Sequence, residues 1–339
     1  MRFEIMDNDL LSVQEARILA ENARDAQAQM AAFSQSRLDA IVAQLADAVR
    51  PHVKELALMS ADETDYGNWQ DKLVKNRFVT ETLPRQLASM KCVGITHRDE
   101  ERKLYDIGVP LGVLVSLTPA TSPVSTTIYN ALIAIKSGNA ILFSPHPRAE
   151  RTSARVLDIL IQAAASAGLP EGALAYLHTV TKAGTRELMN HPATALVMIT
   201  GVPGMVSEAQ RSGKPVIVGG IGGGPAFIEK TADLEQAVCD IIASKTFDNG
   251  VASAAEQQVV VDAPVEAEVR ALFARHGAYF MSDEEAQRLG EIFFFKDGSA
   301  NPEPIGKTAL ELARWAKIDV PLETKVLIAQ QKNVAMTNP

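Results

Sequence analysis

The sequence predicts an α/β protein with a doubly wound parallel sheet, followed by a second, smaller α/β unit. Between residues 112 and 219, five short apolar segments alternate with four segments of helical periodicity. The five segments are VLVSL, AILF, ALAYL, ALVMI and PVIVG. Strands that are apolar along their whole length are buried on both faces, because crossover helices cover both faces of a parallel sheet. After residue 226 the alternation of strands and helices begins again, which predicts the second unit.

The first hundred residues have the pattern of amphipathic helices. Ser12 and Glu15 have the spacing of a capping box, which predicts a helix start at this point. Apolar spacing predicts a second helix over residues 34–50, ended by a proline, and a third over residues 68–83. Residues 91–107 contain two β-prone runs on either side of a charged turn, which predicts a projecting β-hairpin.

Proline and glycine mark the helix boundaries in the sheet region. Pro123 stands at the first position of a helix, where its missing N–H costs nothing, and Gly138 follows the end of that helix. Gly168 ends the next helix in the same way. The four helices are expected over residues 124–136, 152–167, 182–190 and 203–211.

The second unit repeats the alternation less completely. A strand AFIEK precedes a helix over residues 234–243, the loop SKTFDNG and a strand EQQVVVD. Helices are expected over residues 265–275 and 283–291, and a strand-like KVLIA follows. No compact closure comes after it, so we expect this unit to be incomplete at its C-terminal side.

Composition excludes several classes of protein. Lys and Arg total 33 against 41 Asp and Glu, a net charge of −8 with no basic run longer than two, which argues against a nucleic-acid partner. No apolar stretch approaches the roughly 18 residues of a membrane span. The first residues are acidic where a signal peptide needs bases, so we expect a cytoplasmic protein. Cys92 and Cys239 alone form neither a disulfide framework nor a zinc site, and no metal is expected.

The carboxyl ends of the strands are the expected ligand edge. A doubly wound sheet binds nucleotides there, which places a cofactor beyond Leu117, Phe143 and Ile199. Residues 200–204 open a helix whose amides suit a phosphate, although an ordinary strand-to-helix turn has the same composition. The glycine run at residues 219–224 lets backbone approach a ligand, or serves as a hinge between domains.

Five motifs occur in the order in which one known family has them. They are TPATSPVST, SGNAILFSPHPRA, TGVPGMV, SKTFDNG and DGSANPEPIGK. Together they resemble the CoA-acylating branch of the aldehyde dehydrogenase superfamily, similar to acetaldehyde and propionaldehyde dehydrogenases and to the aldehyde domain of bifunctional aldehyde/alcohol dehydrogenases. The resemblance runs from Asp9 to Ala329. It implies an NAD-dependent oxidoreductase that converts a small aldehyde and CoA reversibly to acyl-CoA through a covalent enzyme intermediate.

The resemblance also implies a division of the chain and a set of cofactor contacts. Residues 1–105 form N-terminal helices and a hairpin, and residues 106–225 form a dinucleotide-binding domain. Residues 226–339 form a catalytic domain, which is expected to be partial because family members normally continue further. The full-length form is expected to be a homo-oligomer, a dimer or tetramer. NAD is expected, and Arg148 and Arg151 leave NADP open. The expected cofactor contacts are Thr118, Pro119, Ser144, His146, Thr200, Gly201, Gly204 and Gly220.

Ser253 is the main departure from the family pattern. The family has its nucleophilic cysteine three residues after the glycine of SKTFDNG, and that position is Ser253 here. A thiol with a pKa near 8.5 holds some thiolate at neutral pH, whereas a serine hydroxyl holds essentially none. With no adjacent base visible in this stretch, we expect little or no acyl-CoA formation. Ser253→Cys is expected to restore it only together with the C-terminal portion.

Three further positions differ from those of related enzymes. Ser122 replaces an asparagine whose amide helps to bind the oxyanion in the family, and it serves here either as a helix cap or as a hydroxyl donor. Gly219 occupies the position at which hydrolytic members have a water-activating glutamate, which favours CoA as the acceptor. The family usually has asparagine where Gly223 stands.

Three alternatives to this function stay open. A pseudoenzyme of the same fold would bind nucleotide without catalysis. An acylating dehydrogenase could also act on a charged aldehyde such as sulfoacetaldehyde. A hydrolytic aldehyde dehydrogenase is disfavoured by Gly219.

Overall fold

The computed structural model describes residues 7–220 and 222–331. These residues form two compact units. The N-terminal unit comprises residues 7–64 and 72–220, and the C-terminal unit comprises residues 65–71 and 222–331. Within these ranges no helix is both long and apolar enough to cross a membrane.

The first helix begins earlier than the capping-box pattern predicts. Helix α1 starts at Asn8, because the Asp7 side chain accepts hydrogen bonds from two amides of the first turn. The predicted capping box is therefore wrong. The Ser12 hydroxyl donates to the Thr179 carbonyl, and Glu15 accepts from backbone amides of the same distant loop. The helices are α1 (Asn8–Met30), α2 (Gln35–Val49), α3 (Val53–Thr64), α4 (Trp69–Arg77) and α5 (Leu83–Ala88).

A hairpin follows these helices, as the sequence predicts. Strand β1 (Gly94–Asp99) pairs antiparallel with β2 (Leu104–Gly108). The charged residues between the two strands form the turn.

The central sheet has five parallel strands in the order β5-β4-β3-β6-β7. The strands are β3 (Val113–Leu117), β4 (Ala140–Ser144), β5 (Leu174–Tyr176), β6 (Thr194–Thr200) and β7 (Val216–Gly219). The crossover helices are α6 (Pro123–Lys136), α7 (Glu150–Ser166), α8 (Lys182–Asn190) and α9 (Val206–Arg211). This arrangement confirms the doubly wound fold. The chain moves from β3 towards β5 and then returns to the other side of β3, so the strand order reverses between β3 and β6.

A buried ion pair joins the N-terminal helices to the sheet layer. The Lys136 side chain at the end of α6 is only 2% exposed, and its Nζ lies 2.5 Å from Asp39 Oδ1 on α2. The apolar side chains around it belong to one continuous core that includes both helices and all the inner strands. The N-terminal helices are therefore an integral part of this unit.

The C-terminal unit contains two small parallel sheets. Strand β8 (Gly224–Ile228) pairs with β9 (Glu256–Val261), and β10 (Ala278–Phe280) pairs with β11 (Val326–Ile328). Helices α10 and α11 pack around Val238, Val269 and Phe273. The helices are α10 (Leu234–Thr246), α11 (Glu266–Arg275), α12 (Asp283–Phe293) and α13 (Ala309–Trp315).

Candidate active site

The expected cofactor edge is assembled from three adjacent strands. Leu117 at the end of β3 is in register with Ser144 on β4 and with Ile199 on β6. The loops after β3 and β6 therefore flank the point at which the strand order reverses. In open α/β sheets this is where a crevice for a ligand forms.

Gly201 brings the two flanking loops into contact. Its φ of +61° is in the left-handed region, and a Cβ atom at this position would lie 3.0 Å from the Pro119 Cβ. Gly204 is exposed, and a Cβ there would meet nothing within 4 Å. The expected helix over residues 203–211 is instead a 3-10 turn, Pro203–Met205, followed by the six-residue α9. The open backbone at Gly204, rather than a long helix, is the feature that suits a phosphate.

Other expected cofactor contacts point into the protein. Ser144 is buried, and its hydroxyl is 2.8 Å from the Thr185 hydroxyl on α8. Thr118 is buried too, and within the described residues its hydroxyl has no hydrogen-bond partner. Thr200 and Gly220, at the ends of β6 and β7, are partly or fully exposed. Ser144 therefore helps to pack α8, whereas the two strand-end residues are accessible.

His146 is half-buried in the loop after β4. Its Nδ1 accepts a hydrogen bond from the Arg148 N–H at 3.1 Å, which places the ring proton on Nε2. Burial and, to a smaller extent, the positive charge of Arg148 lower the pKa of His146 below its usual value. The lowered pKa favours the neutral ring, in which the Nε2–H can donate a hydrogen bond.

Ser122 is the N-cap residue of α6 by position, but its side chain does not cap the helix. The capping interpretation is therefore wrong. Its hydroxyl oxygen instead accepts a hydrogen bond from Lys75 Nζ at 2.7 Å, and Lys72 Nζ donates to the Thr121 carbonyl at 2.9 Å. An oxygen that accepts from an ammonium group can still donate its own proton, and that proton is polarised by the positive charge. This arrangement keeps the hydroxyl-donor interpretation open.

Lys72 and Lys75 were not identified from the sequence. They lie three residues apart on α4, so both reach the same loop. A pair of lysines at this spacing is common on exposed helices. Their role became visible only because α4 packs beside residues 121–122.

Ser253 lies on an exposed turn just before β9. Within residues 65–71 and 222–331, its side chain forms no hydrogen bond. Gly222, just before β8, lies against this turn, and a Cβ there would be 2.3 Å from the Ser253 carbonyl oxygen. The φ of Gly222 is +89°, which side chains rarely adopt. Gly222 thus packs directly against the expected nucleophile position.

The SKTFDNG loop is held in an unusual conformation by buried hydrogen bonds. Asp248 and Asn249 have φ values of +50° and +52°, in the left-handed region. Asp248 is fully buried and accepts from the Asn68 N–H at 2.8 Å, and its own N–H donates to Asp71 Oδ2 at 2.7 Å. Asn249 donates to the Gly306 carbonyl at 2.9 Å. The Asp-Asn-Gly sequence is therefore structural: it fixes the loop that leads to the turn.

Two charged residues beside this loop were also missed at the sequence level. Lys245 donates a hydrogen bond to the Gln257 side chain, and burial lowers the pKa of Lys245 below its usual value. Glu256 begins β9, and its Oε2 is buried without a hydrogen-bond partner within the described residues. Both residues are near Ser253 in sequence, but neither hydrogen-bonds to its hydroxyl.

Comparison with curated proteins identifies the family. The model of the aldehyde dehydrogenase family matches residues 4–286. The chain is 37% identical over 328 residues to the bifunctional aldehyde-alcohol dehydrogenase of Escherichia coli K12, covering 97% of this chain and 37% of that protein. It is 32% identical to the acetylating succinate-semialdehyde dehydrogenase of Clostridium kluyveri, over 93% of this chain and 69% of that protein. The chain spans little more than a third of the first of these relatives.

Solved structures give the same result for the fold. An acetylating aldehyde dehydrogenase from Geobacillus thermoglucosidasius has a TM-score of 0.92 and 40% identity, covering 98% of this chain and 73% of that chain. A propionaldehyde dehydrogenase from Rhodopseudomonas palustris, solved with CoA and an acylated cysteine, has a TM-score of 0.80 and 27% identity, over 93% and 72% of the two chains. Two of these four proteins are described as acetylating enzymes, and a third was solved with CoA and an acylated cysteine. The chain belongs to the aldehyde dehydrogenase family and is similar to acylating members of it.

Proposed function

We propose that this chain is built for the acylating reaction, in which a small aldehyde, NAD and CoA give acyl-CoA, NADH and a proton. The observation that carries the proposal is the exposed turn at Ser253, held by Gly222 and by the buried Asp248. This turn occupies the position of the cysteine in the family motif. The acylating relatives, one of them with CoA and an acylated cysteine, support the choice of CoA as acceptor.

Ser253 impairs the first chemical step. Attack on an aldehyde carbonyl requires the hydroxyl proton to leave as the oxygen–carbon bond forms. Within residues 65–71 and 222–331, no side chain hydrogen-bonds to that hydroxyl, so none of these side chains is positioned to accept its proton. An oxygen ester formed at Ser253 would also transfer its acyl group to a thiol less readily than a thioester does. The proposed function of the chain as it stands is therefore acylating chemistry at a greatly reduced rate.

Gly219 supports CoA over water as the acceptor. A glutamate at this position would activate water in hydrolytic members of the family, and here there is no carboxylate. The space for one exists, since a Cβ at Gly219 would make only ordinary contacts, the nearest at 3.5 Å. An acyl intermediate would therefore react with a thiol and not with water.

NAD is proposed as the preferred nucleotide, bound at the β3–β6 crevice. Arg151 was a candidate for a 2′-phosphate contact, but its guanidinium lies 3.5 Å from Glu63 Oε1 and 4.0 Å from Asp62 Oδ2. This acidic neighbourhood opposes a further negative charge. Calorimetric titration tests the proposal: tighter binding of NAD than of NADP is expected, and equal or reversed affinities would contradict it.

The experiment for the proposed function compares Ser253 with Ser253→Cys. Both proteins, and every Ser253→Cys background used below, are joined to the C-terminal portion that longer family members have. NADH formation is followed with acetaldehyde and propionaldehyde, with and without CoA. We expect a trace rate from Ser253 and a CoA-dependent increase in Ser253→Cys of at least about a hundredfold. Robust CoA-dependent turnover by the Ser253 protein would contradict the assignment of this position.

A nucleotide-binding pseudoenzyme is the second candidate. It is favoured by the Ser253 hydroxyl, which has no hydrogen-bond partner in residues 65–71 and 222–331. It predicts that NAD binds but that Ser253→Cys stays inactive on every small or charged aldehyde, sulfoacetaldehyde included. The same assays therefore distinguish the two candidates.

A homo-oligomer is part of the proposal. The hairpin exposes Leu104, Tyr105 and Ile107 on β2, an apolar surface of the kind that subunit contacts bury. Sedimentation analysis of the protein, compared with a Leu104→Glu/Ile107→Glu variant, tests this. A dimer or tetramer that dissociates in the variant is expected, and a monomeric parent protein would contradict it.

A further inference from the structure

Three metal-ligating side chains meet where α10 packs against the end of α11. Glu235 lies in the first turn of α10, and Cys239 follows one turn later on the same face. His276 directly follows the last residue of α11. Their donor atoms all lie within 4.8 Å of one another.

One distance between these atoms equals that of a tetrahedral zinc site, and a second needs a small adjustment. Zinc bonds of about 2.3 Å to sulfur and about 2.0–2.1 Å to nitrogen or oxygen separate two ligand atoms by about 3.4–3.6 Å. Cys239 Sγ lies 3.6 Å from His276 Nε2, which matches. His276 Nε2 and Glu235 Oε1 are 2.5 Å apart, a hydrogen bond that must open by about 0.9 Å for both atoms to bind one ion. That movement is small for a half-exposed glutamate.

The two carboxylate oxygens of Glu235 have different partners. Glu235 Oε1 faces His276, whereas its Oε2 lies 3.5 Å from Arg275 Nη1. Outer partners of this kind orient a ligating carboxylate in known metal sites. The Glu235 side chain is 50% exposed and that of His276 is 29% exposed, so water can reach a fourth coordination position.

The thiol distinguishes this cluster from ordinary surface pairs. His52 with Glu55 and His178 with Glu15 are also histidine–glutamate pairs, at 2.9 Å and 2.8 Å. Neither has a cysteine near it. A thiolate and an imidazole together select borderline-soft ions such as zinc over magnesium or calcium.

We propose that Glu235, Cys239 and His276 bind one divalent transition-metal ion of the zinc type, with water as the fourth ligand. The ion would join the start of α10 to the end of α11, and the site is independent of the proposed aldehyde chemistry. The expectation that the protein needs no metal is thereby revised. The sequence concealed the site because His276 is 37 residues from Cys239 and no short zinc motif connects them.

The test uses untagged, reduced protein stripped with a chelator and titrated with Zn²⁺ by calorimetry and with Co²⁺ by absorption. We expect one equivalent to bind, with a thiolate-to-cobalt charge-transfer band in the near ultraviolet. Cys239→Ser is expected to abolish the band, and Cys239→Ser and His276→Gln are each expected to weaken Zn²⁺ binding at least tenfold. Cys92→Ser, which removes the other cysteine, leaves both signals unchanged.

Two results would overturn the proposal. One is the absence of stoichiometric Zn²⁺ binding by the parent protein. The other is binding that survives in Cys239→Ser, which would assign it to surface pairs such as His52 with Glu55. Circular dichroism of each variant establishes that it is folded. Glu235→Gln removes the third proposed ligand at an exposed position and is expected to weaken Zn²⁺ binding like the other two variants. No aldehyde, CoA or nucleotide is present, so failure here and failure of the proposed function are separate results.

Discussion

Gly222 lies so close to Ser253 that a Cβ atom at Gly222 would be 2.3 Å from the Ser253 carbonyl oxygen. Rotating a side chain cannot relieve this contact, because the backbone fixes the position of the Cβ atom and the atoms that it would meet are backbone atoms of Ser253. The glycine just before β8 therefore sets the position of the turn just before β9. Gly222 therefore supports the proposed nucleophile position.

Gly222→Ala should displace the turn. We expect the variant to lose about 2 kcal/mol in the unfolding free energy, because of the φ of +89° and the steric overlap. In a Ser253→Cys background it should also slow acylation of the cysteine at least tenfold. Urea unfolding and mass spectrometry measure the two effects.

Gly224→Ala is the matched control for Gly222→Ala. Nothing lies within 4 Å of a Cβ at Gly224, so little change is expected. Equal effects of the two substitutions would show that the contact with Ser253 is unimportant.

Asp39→Ala should strongly destabilise the N-terminal unit. It leaves the buried Lys136 ammonium without its carboxylate, at a cost of about 3 kcal/mol in unfolding free energy. Asp47→Ala, on the same helix, removes an exposed pair with Arg50 and should cost less than about 1 kcal/mol. Denaturant unfolding of both variants measures the two losses. Similar losses of unfolding free energy would contradict the claim that burial makes the Lys136–Asp39 pair the more important one.

His146 should titrate below its usual pKa of about 6.5. Its folded-state pKa is lowered, so the unfolded chain binds the proton more tightly. The contribution of His146 to stability is therefore complete above pH 6.5 and is lost as the pH falls through the unfolded and then the folded pKa. NMR titration of the ring protons gives the midpoint, and Arg148→Ala should raise it. A midpoint at or above 6.5 would contradict the structure.

Lys75→Met should weaken any oxyanion contact made by Ser122. The Lys75 ammonium orients and polarises that hydroxyl at 2.7 Å. In the Ser253→Cys background we expect a fall in kcat of about tenfold with little change in KM, and the same fall for Ser122→Ala. The double variant should be no worse than either single variant. Fully additive losses would mean that the two residues act separately.

The strands of the sheet could be predicted because each is a continuous apolar run between glycine and proline signals. Pro123 marked the start of α6 for the same local reason. What the sequence could not supply were partners distant in the chain. Ser12 and Glu15 looked like a cap but bind a loop more than 160 residues away, and Ser122 meets a lysine 47 residues earlier. Asp7, directly before the first residue of α1, caps the helix in place of Ser12.

The family motifs predicted the position of the candidate site to a single residue, Ser253, whereas hydrophobic periodicity and residue spacing did not. Residue spacing alone left the glycine run as either a hinge or a ligand loop. Its contact with the Ser253 turn depends on the parallel pairing of β8 with β9, which no local signal fixes. The same holds for Asp248, whose partners come from residues 65–71.

Mass spectrometry of the acyl-enzyme tests the central claim, that residue 253 is the nucleophile position, most directly. The parent protein and Ser253→Cys are incubated with propionyl-CoA, digested and mapped, with Cys239 and Cys92 as internal controls. The account predicts a propionyl group on residue 253 of Ser253→Cys and none on Ser253. A propionyl group on Cys239 or Cys92 but not on Cys at position 253, or ready acylation of Ser253 itself, would contradict it.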